Sequence, residues 1–176
     1  MSFWEALTAT ASPDGRYLAF SSTRTGVEEI WVSKADGSDA KQMTFTGGPL
    51  CSNPHWSPVG RLILFNSRRQ GASHLYLLHP DTGEVTSLTA EPADDIEPRW
   101  SRDGRWICFG SNRGGQFAVW RLPAAGGQAV RITRGGGFTA TESPDGRFLY
   151  YSNDDSTTLT SRGHYANLLA RRQELQ

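Results

Sequence analysis

"SPDGR" occupies Ser12 to Arg16 and returns unchanged at Ser143 to Arg147, with "SPVGR" at Ser57 and "SRDGR" at Ser101 between them. The four serines are 45, 44 and 42 residues apart. An aromatic follows each Ser by eight residues (Phe20, Phe65, Phe109, Tyr151), and after the first three an Arg follows by twelve (Arg24, Arg69, Arg113). A Gly comes at fourteen (Gly26, Gly71, Gly115), a large aromatic at nineteen (Trp31, Tyr76, Trp120) and a Thr at thirty-two (Thr44, Thr89, Thr133). Length varies only in the stretch before the next Ser. That pattern describes one structural unit copied in tandem with an adjustable loop.

Within each unit, short runs rich in aromatic and branched residues alternate with turn chemistry. "YLAFSS", "LILFNS", "WICFGS" and "FLYYSN" lead through an Arg/Gly turn into "EIWVSKA", "HLYLLHP" and "AVWRLPA", and then into "AKQMT", "EVTSLT" and "AVRIT". With the extended segment upstream of each Ser, a unit holds four strands joined by hairpins. Four antiparallel strands in about 40 to 45 residues make a propeller blade, and runs apolar on both faces need a neighbouring sheet on each side. The SPDG stretch lies between the first and second strands. Pro presets φ, Asp bonds the backbone ahead and Gly takes the left-handed position, so it reads as a turn and not a reactive site. The copies agree: the Asp is lost in "SPVGR" and the Pro in "SRDGR", but Gly15, Gly60, Gly104 and Gly146 all remain.

These residues, "SPDGRYLAFSS" through "EIWVSKADGSDAKQMT", resemble the repeat of TolB-type β-propellers, which is also found in the propeller domains of prolyl-oligopeptidase-type peptidases. The resemblance runs from about Leu7 to Asn153 and implies an all-β fold more firmly than a function. The expected blades are 7–44, 50–89, 94–133 and a partial 138–160, within a propeller region of 1–160. In the tail, 161–176, Tyr165, Leu168 and Leu169 fall on one helical face after Gly163, which predicts a short C-terminal helix. "TTLTS" is the alternative source of a third strand for the fourth unit. Three and a half blades are too few to close a ring, so the terminal blade faces are expected to need cover. Two copies of the chain related by a two-fold axis would supply it, as would the remainder of a longer parent.

Lys plus Arg and Asp plus Glu balance at 18 each, which disfavours nucleic acid as a partner. No run of 18 apolar residues suggests a membrane span, and the start, "SFWEALTATAS", has no basic or apolar export signal. The compartment therefore stays open, and the resemblance implies the periplasm if the chain is part of an exported parent. Cys51 and Cys108 form no CxxC and are expected as buried free thiols. There is no GxSxG elbow and no Walker sequence; "AAGGQ" and "RGGGF" read as hairpin turns. His74 and His79, five apart, fall on opposite faces of a strand and do not form a joint metal site.

The most suggestive stretch is "ADDIEPRW". Asp94, Asp95, Glu97 and Arg99 lie before and within an innermost strand, where a propeller presents loops to its channel mouth. Asn53 and His55 hold the equivalent place one unit earlier, and one unit later Glu142 stands beside the Ser. This rim is the candidate surface for a protein or peptide partner, with calcium as a conceivable ligand that three carboxylates only partly satisfy. Solvated loop charge is the competing reading. Arg24, Arg69 and Arg113 lie in the loop between second and third strands and are expected to stabilise turns or join blades. Trp56 and Trp100 are expected in the core. The sequence thus points to a non-enzymatic interaction module with no catalytic residues, the alternative being an accessory propeller of a peptidase whose catalytic domain is elsewhere.

Overall fold

A computed structural model describes residues 6–48, 50–152 and 170–174. The first sheet contains β1 (Ala6–Ala11), β2 (Tyr17–Ser22), β3 (Glu29–Lys34) and β4 (Lys41–Gln42). The second contains β5 (Cys51–Trp56), β6 (Ile63–Gln70), β7 (Ala72–Leu78) and β8 (Val85–Ser87), and the third β9 (Asp95–Trp100), β10 (Trp106–Ser111), β11 (Ala118–Pro123) and β12 (Val130–Arg131). The fourth is β13 (Ala140–Glu142), β14 (Phe148–Ser152) and β15 (Ala170–Glu174). Each sheet is an antiparallel meander in chain order, so each repeat is one blade. The first strands β1, β5, β9 and β13 touch one another in succession, which puts them innermost.

The SPDG turn is built as its composition requires. Gly15, Gly60, Gly104 and Gly146 share φ values of 69° to 71°. The hydroxyls of Ser12, Ser101 and Ser143 donate to Asp14, Asp103 and Asp145 at 2.6, 2.7 and 2.5 Å and accept the backbone N–H five residues on. The same carboxylates accept the N–H of the Arg two residues later. Where Val59 replaces the Asp, Ser57 accepts from both Arg61 and Leu62 at 3.1 Å. The Thr column is equally consistent: Thr44, Thr89 and Thr133 accept the N–H of Ile30, Leu75 and Val119 at 2.9, 3.0 and 2.9 Å, closing the outer hairpin of each full blade.

Alternation along the strands sends one set of side chains to each neighbouring blade. Ala19 and Ile30 meet Ile63, Phe65 and Tyr76 between the first two blades. Leu64 and Leu75 meet Ile107, Phe109 and Leu122 at the next junction, and Cys108 and Val119 meet Ala140 and Leu149 at the last. Gly110 allows the close approach of the last two blades, since a Cβ there would collide with the Phe138 carbonyl. Trp56 and Trp100 pack into these junctions as expected. Both cysteines are buried and free, and burial pushes the Cys108 thiol up to about 12.

One expectation needs correction. The tail over Ala170–Glu174 is a strand, paired with β14 from Ser152↔Ala170 to Phe148↔Glu174, and not part of a helix. The strand beside β14 is β15, and pairing the backbone groups along the β14 edge outweighs the local helical pattern. Tyr165, Leu168, Leu169 and the "TTLTS" segment lie outside the described residues. The fourth blade accordingly draws on chain beyond 160. On the face of the first blade turned away from the second, Phe20 and Trp31 are 7% and 9% exposed. The Arg24 guanidinium lies over both rings, 5.0 and 4.5 Å from their centres.

Candidate functional site on the innermost strands

Two copies of the innermost strand carry a proline three residues before the Ser, Pro54 in β5 and Pro98 in β9. A proline cannot donate to a ladder, and here each marks a bulge. Register slips between Ser52 and His55 in one strand, and opposite Cys108 and Gly110 in the other. The residues before the prolines, Asn53 and Glu97, adopt φ of 54° and 51°, a left-handed conformation that side-chain-bearing residues avoid. Such strain persists where surrounding structure enforces it. Here Asn53 Nδ2 donates to Glu97 Oε1 and to Asn66 Oδ1, both at 3.1 Å, tying the two bulges across the blade junction.

The bulges set the strand ends that follow them. His55, Trp56, Arg99, Trp100, Arg102, Thr141 and Glu142 line a cleft of about 380 Å³ along three innermost strands. Arg99 is half-buried, pairs with Glu97 Oε2 at 3.4 Å and donates to the Pro98 carbonyl. Burial pulls its guanidinium below the usual range, with Glu97 opposing. Burial first and the Arg99 charge second push His55 down to about 3, so its imidazole is neutral at ordinary pH. The Trp100 indole N–H donates to the His55 carbonyl at 3.1 Å, and Glu142 Oε2 accepts the Arg102 backbone N–H at 2.9 Å. The cleft thus holds a cation, a neutral imidazole, an indole and a carboxylate on a rigid base. Its Ser101 hydroxyl is committed to the SPDG-type turn.

Of the rim residues singled out in the sequence, His55, Arg99 and Glu142 come together in this cleft and Glu97 supports it through Arg99. Asp94 and Asp95 go elsewhere. Asp94 pairs with Arg68 at 2.9 Å and accepts the Ser73 N–H at 2.9 Å. Asp95 is fully buried, and both its oxygens accept from Arg113 Nη2 at 2.9 Å. Arg113 in turn lies over Phe109 and Trp120, and Arg69 over Tyr76, so the Arg column caps the aromatic columns. Among the described residues no three His, Cys, Asp or Glu side chains converge as a metal-binding group, and no helix is long and apolar enough to cross a membrane. Arg102 and Thr141 were not singled out from sequence, and Trp56 and Trp100 were read only as core. The signal was present, since Thr141 shares its place two before the Ser with His55 and Arg99.

A family model for the TolB β-propeller domain matches residues 48–167. The fold superposes on a protein assigned as TolB in Agrobacterium tumefaciens with a TM-score of 0.75 and 29% identity, over 89% of this chain and 58% of that one. TolB from Acinetobacter baumannii gives 0.76 and 22% over 89% of this chain and 39% of that one. A puromycin hydrolase S511A mutant complexed with PGG gives 0.69 and 19%, over 82% and 24%. The chain therefore spans roughly three-fifths and two-fifths of the two TolB structures. No curated protein matches it.

Proposed function

The chain belongs to the TolB β-propeller domain family, and from that premise we propose that it is a non-enzymatic interaction module whose innermost-strand cleft receives an extended protein or peptide segment. The observation that carries this reading is the pair of strained bulges at Asn53 and Glu97, cross-linked to one another beneath the cleft. Backbone strain of this kind costs about 1–3 kcal/mol per residue, and it is concentrated at sites that need pre-organised side chains. Arg99 and Arg102 suit carboxylate or carbonyl groups of a bound chain, Glu142 suits an amide or a cation, and Trp100 supplies a flat apolar wall.

In the same proposal two copies complete the ring about a two-fold axis. The fourth blade of each would meet the first blade of the other, using the columns that join blades within the chain. Light scattering on the purified protein tests this part, and a monomer at micromolar concentration would refute it without touching the cleft. The cleft itself is tested by selecting peptides from a display library and measuring their affinity by calorimetry. Arg99→Ala should weaken the selected peptides at least tenfold, about 1.4 kcal/mol. Selected peptides that bind Arg99→Ala and Glu142→Gln variants as tightly as the parent would refute the assignment.

A further inference from the structure

The half-buried guanidinium of the channel cleft is held by side chains that do not line the cleft. Arg99 Nη1 donates to the Pro98 carbonyl at 3.1 Å, and Nη2 reaches Glu97 Oε2 at 3.4 Å. The other Glu97 oxygen, Oε1, accepts from the Asn53 amide of the neighbouring blade at 3.1 Å. Asn53 is oriented in its turn, because its amide also donates to Asn66 Oδ1. Asn66, 7% exposed, donates to Ser52 Oγ at 3.3 Å and to Ser73 Oγ at 3.2 Å. A polar relay thus runs from a buried amide inside the second blade, across the junction, to a cation in the cleft wall of the third. Neither Asn53 nor Glu97 belongs to that wall.

Blade geometry does not require this relay. Four places before the turn Ser the units carry Thr8, Asn53, Glu97 and Thr139, and nine places after it Ser21, Asn66, Gly110 and Ser152. The first blade's innermost strand also slips register, between Ala6 and Thr8, but Thr8 is not left-handed. There the two columns make a hydroxyl pair within one blade, Thr8 Oγ1 with Ser21 Oγ at 3.1 Å. In the fourth blade the Thr139 N–H donates to Ser152 Oγ at 3.3 Å. Nor does burial demand the bond between Asn53 and Glu97, since the Glu97 carboxylate is 27% exposed and has water as an alternative donor. What the bond adds is a carboxylate fixed beside Arg99, which lowers the ordering cost when a ligand meets the guanidinium. On the reading of the channel cleft as a peptide site, we propose that Asn53 is a positioning residue for it, presetting the Arg99 guanidinium through Glu97.

Asn53→Gly is the test, because glycine accepts the φ of 54° and removes the amide. Against the display-selected peptides its affinity should fall about two- to tenfold, the cost of ordering a long side chain on binding. In the Arg99→Ala background the same substitution should change affinity by less than about twofold, since the group it positions is gone. Asn53→Asp, which keeps the shape but presents an acceptor to Glu97, should repeat the loss and serves if glycine loosens the strand. Without any peptide, NMR of the Arg99 guanidinium should give separate Nη signals in the unsubstituted protein and averaged ones in Asn53→Gly. Unchanged affinity in both Asn53 variants, an equal loss in the Arg99→Ala background, or unchanged Arg99 signals would each overturn the proposal. If no peptide binds the unsubstituted protein, the channel-cleft reading fails, and the Arg99 signals alone decide whether Asn53 positions the guanidinium. Thermal melts of every variant separate lost binding from lost fold.

Discussion

Removing either partner of the Asp95–Arg113 pair should destabilise the protein unequally, and the structure says which loss is worse. Breaking a buried ion pair costs about 3–5 kcal/mol because an uncompensated charge stays behind in low dielectric. The Asp95 carboxylate has no exposure, so in Arg113→Ala it has no route to water. Arg113, at 13%, already borders solvent. The second blade displays its alternative, for Cys51 stands where Asp95 would be, donating to Ser67 at 3.3 Å, and Arg69 remains exposed over Tyr76. In Asp95→Ala, Arg113 can adopt that arrangement. The expected costs are therefore about 4–5 kcal/mol for Arg113→Ala and about 2–3 kcal/mol for Asp95→Ala, the latter below the usual range because the charge escapes. The double variant should cost less than the two single losses together, by more than about 1 kcal/mol. Urea unfolding followed by tryptophan fluorescence measures all three. Asp95→Ala proving the costlier change, or additive losses each under about 1 kcal/mol as for an exposed pair, would refute the reasoning.

Thr133→Val keeps the shape of a buried side chain but leaves the Val119 N–H without its acceptor, so a loss of about 1–3 kcal/mol is expected by urea unfolding. Gly110→Ala drives a Cβ into the Phe138 carbonyl of the next blade and should cost at least about 1–3 kcal/mol, read as a drop in the melting temperature, while Gly15→Ala at an open turn pays only for its positive φ. His55, neutral when folded down to about 3, takes up its proton more readily once unfolded, where 6.5 is the ordinary value. Its contribution to stability is therefore complete above pH 6.5 and is lost as the pH falls towards 3; His55→Asn should flatten the decline in denaturation midpoint between pH 7 and 5. Asp103, held down at about 2 by the Arg105 N–H, Ser101 and the Arg105 side chain, acts lower. Its contribution is present above the unfolded carboxylate value and fades as the pH falls through 2, so Asp103→Asn should blunt acid unfolding only in that lower window.

The blades were legible because their signals are local. A Ser, a Gly at positive φ, an aromatic and a Thr each do their work within one unit, and a period of about 44 residues repeats the evidence. The Asp95–Arg113 pair was not legible. Asp95 was read with Asp94 as part of a rim, yet the loop entering a blade and the turn between its second and third strands lie at the same end of the sheet. That brings a residue at the start of β9 against one 18 positions later. No repeat signal announced it, since Cys51 occupies the matching column. The tail strand was missed for a different reason. Helical spacing is a property of the segment, whereas the open edge of β14 is a property of the fold, and tertiary demand overrides propensity. The bulges could have been found, because Pro54 and Pro98 sit inside segments otherwise reading as strands.

Comparison among the copies also separates scaffold from site. Where the units agree, at the turn Ser and the Thr, the hydroxyl accepts a backbone N–H of its own blade, and a replacement without an acceptor would orphan it, while the turn Gly supplies the positive φ. Two places before the Ser the units disagree, with Thr10, His55, Arg99 and Thr141, and there the side chains face the centre of the ring or cross to the next blade. Agreement follows from an identical local task, and disagreement follows when four equivalent positions must together form one asymmetric surface. A peptide lying across β5, β9 and β13 would meet an imidazole, a guanidinium and a hydroxyl in that order, a sequence of contacts that no single repeat contains. Exchanging His55 and Arg99 preserves composition but reverses that order. If the cleft reads a directional segment, the exchange should cost as much affinity as Arg99→Ala. Unchanged affinity would mean that the cleft responds to charge alone.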